Sequence, residues 1–181
     1  MKKILLSGVC TAAFVLLFNV VNAQETATSN LNVHITEQLK VDFGDGSGGI
    51  GSGDVDLYFN TPEDYVNGVK ATKNGHLLIT STKGYTVDVN TQTTTLTGSG
   101  STSIAADAIK VKLLSTNSSD ILGNTTGLNL ASAAGHFITS APATTKSAID
   151  VEYFTTPGDQ RFVGVGAGTY TTKIVYTVTA N

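Results

Sequence analysis

The sequence predicts an all-β protein, folded as an antiparallel two-sheet sandwich, with a closed β-barrel as the second choice. Three observations carry that expectation. Thr, Val, Ile and Gly are abundant while good helix formers are sparse, a composition suited to pleated surfaces. Short apolar–polar alternations recur along the chain. Gly, Asn, Pro and Thr turns separate them, giving roughly eight to ten strands and no long helix. Strand number alone does not separate a sandwich from a barrel. No fixed-period repeat is present, which argues against a solenoid.

The first 23 residues stand apart from this pattern. Lys2 and Lys3 precede an apolar run from Ile4 to Val21, and Val21-Asn22-Ala23 supplies small or modest residues at the two positions a signal peptidase reads. Residues 1–23 are therefore expected to be a cleaved signal peptide, with Gln24 as the mature N-terminus. Cys10 does not read as a lipid anchor, because most of the apolar run follows it and Val9 precedes it. Removing 23 of 181 residues leaves 158, with nine Lys and Arg against fourteen Asp and Glu, and neither cysteine nor methionine. Disulfides, thiolate metal sites and cysteine nucleophiles are thereby excluded. An acidic chain with one arginine is a poor nucleic-acid binder. No other stretch is long and apolar enough to span a bilayer as a helix. The expected location is the periplasm, the cell surface or the medium, with no membrane span after cleavage.

Residues 24–30 are short, polar and expected to fray, and residues 31–181 form one expected domain. Its length suffices for a self-contained core held by packing alone. Leu31, Val33, Ile35, Leu39, Val41 and Phe43 alternate with polar residues, broken only at Glu37, and predict one long half-buried strand, 31–43. A Gly-rich loop, 44–54, follows, and then a short strand, 54–59. Asn67-Gly68 and Asn74-Gly75 signal tight turns. Residues 76–82 and 84–90, joined at Lys83-Gly84, predict a hairpin. Residues 91–103 read as low-complexity and solvated. Strands are expected at 109–113, 136–140, 148–154, around 161–165 and across 168–180, with an irregular strand somewhere in 121–130.

Sites of chemistry are scarce. Gly44, Gly46 and Gly49 match a GxGxxG spacing, but no helix follows to hold a phosphate. Asp42, Asp45, Asp54 and Asp56 surround the loop and could supply oxygen ligands to Ca²⁺, although their spacing matches neither an EF-hand nor a GGxGxD repeat. His34, His76 and His136 lack any metal-ligand spacing. Asp150 and Glu152 lie on one strand face about 7 Å apart, a separation open to an inverting glycosidase, but also to a plain charged outer face. No serine sits in a GxSxG elbow. The aromatic residues alternate inward and read as core, and without Trp they make a poor sugar platform. The alternating Thr91, Thr93, Thr95 and Thr97 form a single polar run. The expectation is a protein without catalysis and without an obligatory cofactor.

The C-terminal run Gly168-Thr169-Tyr170-Thr171-Thr172-Lys173-Ile174-Val175-Tyr176-Thr177-Val178-Thr179 resembles the closing strand of bacterial surface β-sandwich proteins: chaperone–usher pilins, spore-coat-U-like and CS1-type fimbrial proteins, and WxL domains. Leu78-Ile79-Thr80-Ser81 through Gly84-Tyr85-Thr86-Val87 resembles their central hairpin. The resemblance implies an immunoglobulin- or pilin-like sandwich acting as an exported structural or adhesive subunit of a cell envelope. It also implies pairing with itself or with other envelope subunits by strand addition. Leu31, Val33 and Ile35 would then belong to a donor strand, and Tyr170, Ile174, Tyr176 and Val178 to an accepting one. The sequence departs from these families in lacking both the pilin disulfide and the Trp-x-Leu motif. The alternative is a secreted module binding surface glycans, with Ca²⁺ in the 42–56 loop.

Overall fold

The computed structural model describes residues 28–98 and 102–181. The expected signal peptide and residues 24–27 lie outside the described residues. Residues 28–34 and Ile35–Asn181 are separate units. The described part of the first has no regular secondary structure, and it is fully solvated.

Among its described residues the second unit carries eleven strands: β1 (Leu39–Phe43), β2 (Lys70–Ser81), β3 (Tyr85–Thr91), β4 (Thr95–Thr97), β5 (Ser103–Ala105), β6 (Ile109–Leu113), β7 (Leu122–Gly123), β8 (Leu128–Asn129), β9 (Gly135–Ala141), β10 (Thr144–Thr155) and β11 (Ile174–Ala180). One short helix, α1 (Pro62–Asn67), precedes β2. It starts on a capping box in which the Asp64 carboxylate accepts the Asn60 and Thr61 N–H groups, both at 2.8 Å.

The strands form a five-stranded sheet, β1-β2-β10-β6-β8, and a four-stranded sheet, β11-β3-β9-β7, with β4-β5 as a separate hairpin. Every pairing is antiparallel, and both larger sheets are open at their ends rather than closed into a barrel. Leu77, Ile79, Val111, Ile149, Val151 and Tyr153 from the first sheet meet Tyr85, Val87, Val89, Phe137 and Ile138 from the second, all at most 2% exposed. The protein is an all-β sandwich. Truncating any of these large core residues to Ala would cost about 2–5 kcal/mol. Leu96, Ile104, Ala106, Ala108 and Phe162 make a second, smaller cluster under the β4–β5 hairpin.

Several local expectations fail for physical reasons. The segments 76–82 and 84–90 do not form a hairpin: β2 has β1 and β10 as neighbours, while β3 pairs with β11 and β9 in the other sheet. Laying the odd-numbered apolar residues of both strands face to face buries them across the core, whereas a hairpin would leave one exposed apolar layer. Asn74-Gly75 is no turn. Ile149 pairs with Leu77 and Val151 with Lys73, so Asn74, Gly75 and His76 all oppose Asp150 in a three-against-one bulge, with Gly75 at φ 54°. The long strand 31–43 shrinks to Leu39–Phe43. Residues 54–59 alternate in burial like a strand yet pair with no strand among the described residues, and residues 160–162 form a 3-10 turn. The low-complexity run 91–103 instead contributes Leu96 to the second cluster, where it meets Ile104 just beyond the run.

Candidate functional site

A sheet end presents unpaired backbone N–H and C=O groups, so the four ends of the two sheets are the natural places for a partner. Three of them are protected. β7 and β8 have only two residues each, and β1 carries a Lys40–Asp42 ion pair at 2.7 Å. The fourth, β11, offers seven residues, IVYTVTA, with no charge and no proline. Among the described residues it pairs only with β3, in unbroken register from Ile174↔Thr91 to Ala180↔Tyr85. Lys173 and Thr171 anchor its entry through backbone bonds to Gln92 and Thr97.

Between β11 and β1, the end strands of opposite sheets, lies a groove of about 210 Å³ lined by Val41, Asp42, Phe43, Leu77, Ile174, Val175 and Tyr176. Its floor is an aromatic cluster. Phe43 sits 5.3 Å from the His76 ring and 6.3 Å from Tyr176, and Phe137 sits 5.7 Å from Tyr176. A hydrogen-bonded chain threads it: His76 Nε2 to the Tyr153 hydroxyl at 3.0 Å, and that hydroxyl to Tyr176 at 2.5 Å. Burial pushes both phenols above the usual tyrosine range. Burial, reinforced by the Lys73 charge, pulls His76 down to about 4.

Of the expected interaction residues, Ile174, Tyr176 and Val178 lie on the inner face of β11 and pack against the main core. Tyr170 does not belong to that strand. It packs on the second cluster, and its hydroxyl donates to the Gly166 carbonyl at 2.8 Å. Leu31, Val33 and Ile35 are in no strand and are 89, 72 and 83% exposed.

The four aspartates are not gathered. Asp42 pairs with Lys40, and Asp45 closes its own loop by accepting the Ser47 and Gly49 N–H groups at 2.7 and 2.8 Å. Those two bonds, Ser47 first, hold its carboxyl below the usual range. Asp54 and Asp56 lie on the exposed side of the extended 54–59 segment. Among the described residues no three His, Asp or Glu side chains stand close enough to share a metal ion. The loop itself is knit by backbone bonds from Gly44 to His76, Asp45 to Gly49 and Gly51 to Phe43. His34 is exposed, and His136 pairs with Asp88 at 2.6 Å on an outer face.

Asp150 and Glu152 are both engaged in holding strands together. Asp150 accepts the Gly75 N–H and the Thr116 hydroxyl, each at 2.6 Å. Glu152 is bound by Lys112 at 2.9 Å and by Lys70 at 3.8 Å, and Lys112 foremost draws its carboxyl below the usual range. The His76–Tyr153–Tyr176 chain escapes notice in the sequence. The one available signal was a histidine opening the apolar run His76-Leu77-Leu78-Ile79. Among the described residues no helix is long and apolar enough to cross a membrane. No family model matches the chain, and none of the curated proteins matches it.

Proposed function

We propose that this chain is an exported structural or adhesive subunit of a bacterial cell envelope that assembles by strand addition. In this reading the Leu31–Ile35 segment of one copy pairs with the β11 edge of another and sets Leu31, Val33 and Ile35 over the Val41–Phe43–Tyr176 groove. The observation that carries it is the seven-residue, charge-free β11 edge standing open beside an apolar groove. The exposed alternation at Leu31, Val33 and Ile35 supplies matching chemistry. Backbone bonds would give affinity, and the alternate side chains would fix register. Burying three aliphatic side chains at about 1.5–3 kcal/mol each is enough to offset much of the entropic cost of association.

The test is the double substitution V33D/I35D. Both side chains are solvated in the single chain, so the thermal midpoint stays where it is. Assembly loses about 3–6 kcal/mol, a factor of roughly 10² to 10⁴ in association constant. A variant that melts much earlier would make the segment an internal strand, and unchanged assembly would place the contact elsewhere.

A further inference from the structure

A second depression, of about 480 Å³, separates the Gly44–Asp54 loop from the first half of β2. Its volume falls within the range of ordinary ligand clefts, roughly 300–1,000 Å³. Its lining is polar: Ser52 and Asp54 on the loop side, and Thr72, Lys73, Asn74 and His76 on β2. Two of these groups lack a counterpart.

The first is Lys73. Lys40, Lys70, Lys83, Lys112 and Arg161 all have a carboxylate within 4.0 Å; among the described residues Lys73, Lys110, Lys146 and Lys173 have none, and of these four Lys73 alone lines the cleft. Asp45, across the cleft, already has two N–H groups on its Oδ1. The second is the His76 ring, on a residue only 2% exposed. If Tyr176 donates to Tyr153 and Tyr153 to His76 Nε2, every hydroxyl proton in the chain is used. The reverse direction strands the Tyr176 proton. The favoured direction puts the ring proton on Nδ1, which has no partner among the described residues and belongs to a residue that lines the cleft.

We propose that this cleft binds a sugar acid of the hexuronate class. The carboxylate bridges the Lys73 ammonium and the His76 Nδ1–H, and the hydroxyls meet Ser52 and Asn74. An ammonium beside a neutral N–H donor selects a carboxylate, and the surrounding hydroxyl, amide and glycine backbone groups suit a polyol better than an apolar body. Asp54 is the one carboxylate on the cleft rim not engaged by its own loop, and it opposes the ligand's charge. The ligand contacts lie off the β11 edge, so their failure leaves strand addition untouched.

The experiment follows the histidine ring signals of the full chain by NMR while sodium glucuronate is added, with glucose and acetate as parallel arms. The groups facing His76 are Lys73, Asp45, Asp54, Tyr153 and Tyr176, and a bound carboxylate adds the only new negative charge. His76 should shift saturably with glucuronate, and its titration should move up from about 4 toward the ordinary imidazole value. Lys73→Gln should weaken binding about tenfold or more, Lys73→Arg should retain it, and Asp54→Asn should tighten it. The proposal is overturned if glucuronate leaves His76 unmoved at about 100 mM, where even millimolar affinity saturates. It is also overturned if glucose or acetate binds equally well, or if a folded Lys73→Gln protein binds as tightly as the parent.

Discussion

Replacing Asp150 with Ala tests whether this carboxylate holds the β2 bulge together. Its Oδ1 accepts the N–H of Gly75, the residue at φ 54° that lets three residues of β2 oppose one of β10. Its Oδ2 takes the Thr116 hydroxyl, and its backbone is clamped by Asn117 through two bonds of 2.8 Å. Alanine keeps the Asn117 clamp but strands the other two donors. Bonds to a charged acceptor contribute about 1.5–3 kcal/mol each, and a half-buried side chain belongs at the low end, so the loss is about 3 kcal/mol. For a domain of this size that is a drop of about 6–12 °C in thermal midpoint. Asp150→Asn, which keeps one acceptor oxygen, should lose about 1 kcal/mol, and Thr116→Val about the same. Thermal melts by circular dichroism at neutral pH read all three. If Asp150→Ala melts within about 2 °C of the parent, the carboxylate does not hold the bulge and the reasoning fails.

Other perturbations follow from the same geometry. Tyr85 is fully buried and its hydroxyl makes no hydrogen bond of normal length among the described residues, the Ser147 side chain engaging it only weakly, so Tyr85→Phe should be neutral or stabilising by about 1 kcal/mol in a urea titration. His76 titrates near 4 in the folded chain but near 6.5 unfolded, so between those values only the unfolded chain takes up the proton. Stability should therefore fall as pH drops from about 6.5 to 4, by up to about 3 kcal/mol before screening by cleft water, and His76→Gln should flatten that window. Glu152 and Asp159, held below their usual range by Lys112 and Arg161, lose their contribution at still lower pH. Gly53 sits at φ 76° with Phe43 ring atoms 2.4 Å from where a Cβ would be; Gly53→Ala should cost more than 1 kcal/mol in the same urea titration and disturb the groove floor.

The fold class was legible because period-two alternation survives wherever a strand has one wet face. Ile109–Leu113 and the inner face of β11 lie where the pattern placed them. Pairing was less legible, because alternation shows which side of a strand is buried but not what lies against it. The apolar faces of Leu77–Ile79 and Tyr85–Val89 are the same whether the strands are neighbours or face each other across the core. Asn74-Gly75 carries a turn's chemistry, and its positive φ is spent on a bulge whose partner, Asp150, is 75 residues away. Leu31, Val33 and Ile35 alternate as well as any core strand, yet nothing in the described residues covers them. The polar chain from His76 through Tyr153 to Tyr176 joins three strands from two sheets, a juxtaposition that only tertiary structure creates.

The most direct test of strand addition is the scattering mass of residues 24–181 across a concentration series, combined with amide exchange of Ile174–Ala180. The account predicts mass rising with concentration, and outward-facing β11 amides that exchange fast when dilute and slow once assembled. A constant monomer mass, with β11 exchange independent of concentration, would contradict it.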